Sequence, residues 1–220
     1  MSADTKSTLN KSIAVFDSDC LEVADKKSVR SKILTDFGFR ERIQPIAEKL
    51  DKLYAFAEEN NIVMVFTHCC SAANIRPDNN SNVLVVPMDS SDQSWLEKVD
   101  DYRLFNIEKR HDGKLHESFI CRHFDAFQHN PNAALLIKKL NIPTWVVFGH
   151  GFDLCVDSSV KGIISSGYKV HLLTDMIASS ASGYGPYGTE ESKKSILEYL
   201  IKVGVTTGTI KDFLQTPNFG

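Results

Sequence analysis

A single cysteine in the C-terminal half has the setting that most favours chemistry. An apolar, β-branched run at 146–148 ends in Gly-His-Gly at 149–151, and a helical pattern begins at Cys155. This layout predicts a thiol at the carboxyl end of a strand and the amino end of a helix. The helix dipole and free backbone N–H groups favour the reactive thiolate there. The plainer interpretation is a small buried hydrophobic residue, the common role of a free cysteine.

Apolar strands that alternate with helical patterns must position this thiol. Strands are predicted at 12–17, 62–67, 82–87, 118–122, 143–149 and 168–174. Helices are predicted from Pro45 to about 60, within 90–101, at 131–140, from Cys155 to about 166 with Gly167 ending it, and at 192–203 with Thr189 as N-cap. The charged stretch 102–116 is interpreted as a hairpin or an excursion at the rim, 183–188 as a flexible loop, and 205–214 as the closing segment.

This alternation indicates an α/β protein with three layers: an open, mostly parallel sheet of about six strands, with helices on both faces. Ligands in such folds bind beyond the carboxyl ends of the strands. Five polar or glycine positions fall at or near predicted strand ends: Asp17, His68, Arg122, Gly149 and Asp175. They are the first candidates for a site.

Bulk composition narrows the function classes. The 220 residues suit one domain over 12–214, with a flexible N-terminal segment at 1–11 and a tail at 215–220. A net charge of −3 gives no general attraction to nucleic acid or an anionic membrane. Five cysteines without framework spacing, no apolar run of membrane-spanning length and a polar N-terminus predict a cytoplasmic protein.

Four features occur in the order of a known superfamily. An apolar strand ends in Asp17, a basic residue precedes the Ala126-Phe127 pair, and Gly-x-x-x-Asp-x-Cys-Val spans 149–156. Last comes a helix, and then Gly-Tyr-x-Val and a strand that ends in Asp with small residues after it, over 167–180. From about 12 to 214 the chain resembles the isochorismatase-like cysteine hydrolases, which include nicotinamidases and N-carbamoyl amidases. The block 149–180 is the specific part of the resemblance.

The resemblance implies a cysteine hydrolase that cleaves a C–N bond of a small amide, ureide or carbamoyl compound. Cys155 would be the nucleophile that forms a thioester, Asp17 the acid/base, and a cation would complete the triad. The backbone N–H groups of Gly151 and Cys155 would form the oxyanion hole. The resemblance also implies a cis peptide bond between His150 and Gly151.

Three positions depart from the family pattern. The family cation is normally lysine, whereas the best-matching position is Arg122, with Lys109 and Lys114 as weaker alternatives. Phe152 replaces a small or hydroxyl residue, and Asp19 replaces a glutamine. The candidate substrate-pocket residues are His123, Phe124, Phe127 and Phe152.

Two other functions compete with the hydrolase. The motif Asp17-Ser18-Asp19 resembles the nucleophile motif of haloacid-dehalogenase-type phosphatases, in which Asp17 would be phosphorylated, Asp19 would be the acid/base and Mg²⁺ would bind. Leu21 does not fit that motif, and the block 149–156 stays unexplained. The second alternative is a catalytically altered or inactive binding protein on the same fold, which is motivated by Arg122.

The cysteine-hydrolase hypothesis also predicts the partners and cofactors. No cofactor and no required metal are expected, because the histidines lack the spacing of a ligand set. The partners expected are a small-molecule substrate and further copies of the chain in a homodimer or homotetramer, with neither nucleic acid nor membrane. Asp153 and Asp175 are interpreted as structural carboxylates.

Overall fold

One parallel sheet organises the chain. The computed structural model describes residues 10–18, 39–68, 83–108, 126–179 and 188–215. The strands are β1 (Ile13–Ser18), β2 (Val63–His68), β3 (Val83–Val86), β4 (Leu104–Glu108), β5 (Thr144–His150), β6 (Lys169–Ala178) and β7 (Thr206–Gly208). They lie in the order β3-β4-β2-β1-β5-β6-β7, and every neighbouring pair is parallel. The predicted α/β class is confirmed, and the described residues alone contain seven strands, against about six predicted.

Helices cover both faces of this sheet. They are α1 (Phe39–Glu59), a 3₁₀ helix (Ser94–Asp101), α2 (Ala126–His129), α3 (Pro131–Leu140), α4 (Asp157–Ser165), α5 (Glu190–Lys202) and α6 (Ile210–Gln215). A π-helical turn, Phe152–Val156, leads into α4. No helix within the described ranges is long and apolar enough to cross a membrane.

Two apolar clusters fix which helices lie on which face. One contains Leu136 of α3, Val160 of α4 and Leu200 of α5. The other contains Leu53 of α1 and Phe213 of α6. The layers are therefore helices, sheet and helices, as the alternating pattern predicts.

Several local signals predict the element ends correctly. Thr189 accepts a hydrogen bond at 3.0 Å from the backbone N–H of Ser192 and caps α5. Gly167 follows α4 with a φ of 92°, the left-handed conformation that glycine adopts without a Cβ penalty. The bounds of α3 agree with the predicted 131–140.

Two predicted elements are wrong. Helix α1 starts at Phe39, six residues before Pro45, because the fixed φ of proline is itself helical and packing can carry a helix through it at a cost. The stretch 102–116 contains the sheet strand β4, whose Phe105 and Ile107 are fully buried. The charges that suggested a rim excursion lie mostly outside its five residues. The predicted strand 118–122 and residues 183–187 of the predicted loop lie outside the described residues.

Candidate active site

The carboxyl ends of β1 and β5 form the centre of the site. In the register of these neighbouring strands, Asp17 pairs with Phe148 and Ser18 with Gly149. Gly149 has a φ of 136°, and a Cβ there would lie 2.2 Å from the carbonyl oxygen of Ser18. Only glycine lets the two backbones approach so closely. The residues after Gly149 therefore start beside the end of the strand that carries Asp17.

The chain then turns sharply into the cysteine segment. Gly151 is left-handed, with φ 68° and ψ 49°, and its carbonyl accepts hydrogen bonds from the N–H groups of Leu154 and Val156 at 2.8 and 3.2 Å. Cys155 lies in the π-helical turn and is only 3% exposed. Single π-helical turns occur frequently at functional sites. The predicted strand-to-helix transition at Cys155 is present, although the α-helix proper begins two residues later, at Asp157.

A buried hydroxyl pair ties this turn to β1. Ser159 on α4 donates to the carbonyl oxygen of Cys155 at 2.8 Å, and its Oγ lies 3.1 Å from the Oγ of Ser18. Ser18 and Ser159 are both fully buried. These contacts hold the cysteine segment against the last residue of β1, so the position of Cys155 depends on the position of that strand.

Asp17 is a buried carboxylate with a positioned donor. Its side chain is 2% exposed, and the hydroxyl of Tyr54 on α1 donates to Oδ2 at 2.7 Å. The Tyr54 ring also packs edge-on against Phe66, at 5.9 Å between centroids. A buried carboxylate that accepts a fixed hydrogen bond is held in one orientation, which an acid/base group requires.

The expected cis peptide bond is wrong. Within the described ranges every peptide bond is trans, including the bond from His150 to Gly151. The left-handed φ of Gly151 turns the chain at this point instead. His150 is 4% exposed, so its side chain is buried and not solvated.

Two of the candidate pocket aromatics pack in the core. Phe152 is fully buried in the apolar cluster shared with α4, because the π-helical turn directs it inward. Phe127 stacks on Phe16 at 6.1 Å between centroids. A Cβ on Gly162 of α4 would lie 2.3 Å from the Phe127 ring, so this ring is pressed against the helix backbone. Phe152 is therefore packed in the core, whereas Phe127 is only partly buried, and the roles of both in a substrate pocket stay predictions.

The two acidic residues interpreted as structural have structural partners. Asp153, 3% exposed, accepts a hydrogen bond from the backbone N–H of Gly188. Asp175 accepts from the backbone N–H of Ile210 at 2.8 Å and pairs with Lys49 at 2.8 Å. Asp175 precedes the end of β6, in an irregular stretch where four residues of β6, 173–176, lie opposite the single residue Phe148 of β5.

Other predicted site residues lie outside the described residues. They are Asp19, Lys109, Lys114, Arg122, His123 and Phe124. Conversely, sequence reasoning missed Tyr54 and Ser159 as partners of the site. Neither belongs to the recognised motif, and Tyr54 lies beside the apolar stripe of α1 with no signal that distinguishes it.

Comparison with known proteins identifies the fold. Neither a protein-family model nor a curated protein sequence significantly matches the chain. Among solved structures, an isochorismatase-like hydrolase from Alkaliphilus metalliredigens is similar, with 18% identity, coverage of 94% of this chain and 99% of that chain, and a TM-score of 0.59.

Two amidases give similar agreement. The pyrazinamidase/nicotinamidase from Streptococcus mutans has 17% identity, coverage of 90% of this chain and 100% of its own, and a TM-score of 0.54. The pyrazinamidase of Pyrococcus horikoshii, solved in complex with zinc, has 11% identity, coverage of 90% and 98%, and a TM-score of 0.54. The predicted resemblance is therefore confirmed at the level of structure: this chain has the fold of the isochorismatase-like hydrolases.

Proposed function

We propose that the protein is a cysteine hydrolase that cleaves the C–N bond of a small amide, ureide or carbamoyl compound through a thioester on Cys155. The observation that carries the proposal is the coupling of the Cys155 turn to the end of β1 through Ser159 and Ser18. It joins a buried thiol to the strand that carries the buried carboxylate of Asp17. The amidases with the same fold support the same reaction class.

The nucleophile is Cys155. Its turn begins where β5 ends and leads directly into α4, so the amino end of a helix follows within two residues. Backbone N–H groups at such a position stabilise negative charge on sulfur and on a carbonyl oxygen under attack. We assign the oxyanion hole to the N–H groups of Gly151 and Cys155.

The acid/base is Asp17. It takes the thiol proton, the thiolate attacks the carbonyl carbon, and the carbon–nitrogen bond breaks as Asp17 returns the proton to the leaving amine. Water then attacks the thioester and gives a proton to Asp17. The carbon–sulfur bond breaks, a carboxylic acid product leaves, and the thiolate is restored. Tyr54 holds the carboxylate in place during both transfers.

For the cation we propose Lys109 in preference to Arg122. Strand β4 belongs to the sheet and is separated from β1 only by β2, and Lys109 is the next residue in the sequence after β4. Two strand spacings are about 10 Å, a gap that a lysine and an aspartate side chain can bridge from opposite sides. A lysine also restores the cation that the family resemblance implies.

Ammonia release from a panel of small amides tests the proposal. The panel contains nicotinamide, N-carbamoyl amino acids and ureido acids, with Cys155→Ala as the blank. Activity with at least one compound is expected, and loss of a catalytic group costs on the order of 10²-fold or more. Lys109→Met should abolish turnover, whereas Arg122→Met should retain most of it. The reverse result would return the cation role to Arg122.

The same assay separates the alternatives. Magnesium-dependent phosphatase activity that survives Cys155→Ala would support the alternative of a haloacid-dehalogenase-type phosphatase that uses Asp17 and Asp19. No turnover with any compound, combined with unreactive Cys155, would support a binding protein on a hydrolase fold.

A further inference from the structure

A cleft lies between α1, α6 and the irregular end of β6. Its volume is about 410 Å³, within the range of small-molecule sites. It is lined by Lys49, Lys52, Asp175, Ile210, Lys211, Leu214 and Gln215. None of these residues belongs to the thiol site, so the cleft is a separate feature of the molecule.

The charges of this cleft are unbalanced. Three lysines face one carboxylate, although the chain as a whole has a net charge of −3. Both oxygens of that carboxylate are engaged, because Asp175 Oδ2 lies 2.8 Å from Lys49 Nζ and Oδ1 accepts the N–H of Ile210. Within the described part of the chain, Lys52 and Lys211 have no ion-pair partner. The cleft therefore presents two ammonium groups that form no ion pair, although the charge of Lys211 also acts on the neighbouring Asp212 carboxylate.

The lysines that line the cleft lie on two different helices. Lys49 and Lys52 are three residues apart on α1, which puts them on one helix face. Lys211 lies on α6, across the gap. Lys49 is fixed by two hydrogen bonds, to the carbonyl oxygen of Asp175 at 2.9 Å and to its carboxylate at 2.8 Å. An anion bound in the cleft would contact ammonium groups from both helices.

The remaining wall is apolar. Ile210 is 7% exposed and Leu214 is half-buried, and both line the cleft. A ligand with an apolar body would bury surface against them, whereas inorganic phosphate or sulfate would only pair with the ammonium groups. The lining therefore favours an amphipathic anion.

We propose that this cleft binds a small organic carboxylate with an apolar body, held by Lys52 and Lys211 against Ile210 and Leu214. The proposal is independent of the hydrolase reaction and uses neither Cys155 nor Asp17. Lys49 is a fixed part of the lining, and its charge is balanced by Asp175.

Calorimetry on the full chain tests it with benzoate as the probe and benzyl alcohol as the neutral counterpart. One saturable benzoate site is expected, with inorganic phosphate and benzyl alcohol each at least about tenfold weaker, since one charge-assisted hydrogen bond corresponds to about that factor. The Lys52→Met/Lys211→Met double variant should lose about tenfold or more in affinity. The matched control Lys98→Met/Lys138→Met, which removes two exposed lysines elsewhere, should bind as the parent does.

Three results would overturn the proposal. They are no saturable benzoate binding, equal affinity in the double variant and its control, and phosphate binding as tight as benzoate. The Cys155→Ala variant distinguishes this site from the proposed active site. Benzoate binding that persists in Cys155→Ala supports the cleft even if no amide is hydrolysed, whereas binding lost there belongs to the thiol site and contradicts the cleft.

Discussion

The hydroxyl oxygens of Ser18 and Ser159 lie 3.1 Å apart in the buried space between β1 and α4. Ser159 also holds the carbonyl of Cys155, so one side chain connects the cysteine turn to the strand of Asp17. Ser159→Ala should lower the free energy of unfolding by about 1–3 kcal/mol, because the Ser18 hydroxyl is left buried without this partner. It should also lower kcat.

The control for this link is Ser166→Ala. Ser166 makes the same hydrogen bond to the residue four before it, Gly162 O at 2.9 Å, but no side-chain hydrogen bond joins it to β1 in the described structure. Its loss should cost about 0.5 kcal/mol or less and leave kcat unchanged. Equal effects of the two substitutions, by chemical denaturation and turnover, would mean that the link to β1 contributes nothing.

The close approach of Gly149 to the Ser18 backbone predicts that position 149 tolerates no side chain. Gly149→Ala would put a Cβ 2.2 Å from the Ser18 carbonyl oxygen, at a φ of 136°. Strain and overpacking together should cost about 3 kcal/mol or more. Gly204→Ala is the matched control, since its φ is 99° and nothing lies within 4 Å of its Cβ position. It should cost only about 1 kcal/mol in the same unfolding experiment. Similar losses in the free energy of unfolding at the two positions would show that the close approach of Gly149 to Ser18 adds nothing to the cost.

The Tyr54 hydroxyl predicts a separable effect on catalysis. Tyr54→Phe keeps the ring contact with Phe66 and removes the 2.7 Å hydrogen bond to Asp17. Stability should fall by about 1–3 kcal/mol, and kcat should fall while KM changes little, because the acid/base loses its orientation. Tyr168→Phe, which removes an exposed contact at 3.5 Å, should change neither quantity. A full rate with Tyr54→Phe would remove Tyr54 from the site.

His171 predicts a loss of stability in acid. Burial lowers the pKa of His171 below its ordinary value of 6.5, against the opposing effect of the Asp212 carboxylate. Its Nδ1 lies 2.9 Å from Thr206 Oγ1, and a Cβ on Gly208 would lie 2.8 Å from its Nε2. The unfolded chain therefore binds a proton more readily, so this stability is complete above about pH 6.5 and is lost as the pH falls below it.

Unfolding midpoints across that range measure the effect. The parent protein should lose stability between about pH 7 and pH 5 more steeply than His171→Gln, because the variant has no group to protonate at this position. Parallel profiles of the two proteins would show that His171 does not contribute.

The sequence predicts most of the sheet because its strands are continuous apolar runs. Residues 13–18 and 144–150 are buried along their whole length, which leaves little ambiguity between strand and loop. Strand β4 escapes that reasoning because Asn106 lies in its middle and Glu108 ends it. The side-chain nitrogen and oxygen of Asn106 are buried and have no hydrogen-bond partner in the described structure. A polar residue at this position of the sequence therefore does not indicate an exposed loop.

The candidate site is likewise only partly predictable from the sequence. The sequence points to Asp17 and Cys155 as candidates because each lies at or just after a predicted strand within a recognisable motif, and their roles stay predictions. Their partners are tertiary: Tyr54 is 37 residues from Asp17, and Ser159 is 141 residues from Ser18. No spacing rule predicts such contacts.

Alkylation of the five cysteines by iodoacetamide at neutral pH, located by peptide mass spectrometry, tests the central claim most directly. We predict that Cys155 is modified first despite its burial, and that Asp17→Asn slows its modification by about tenfold or more, since a carboxylate that removes the thiol proton generates the reactive thiolate. If Cys155 reacts no faster than the other four cysteines and Asp17→Asn leaves its rate unchanged, the proposed nucleophile and its base are both contradicted.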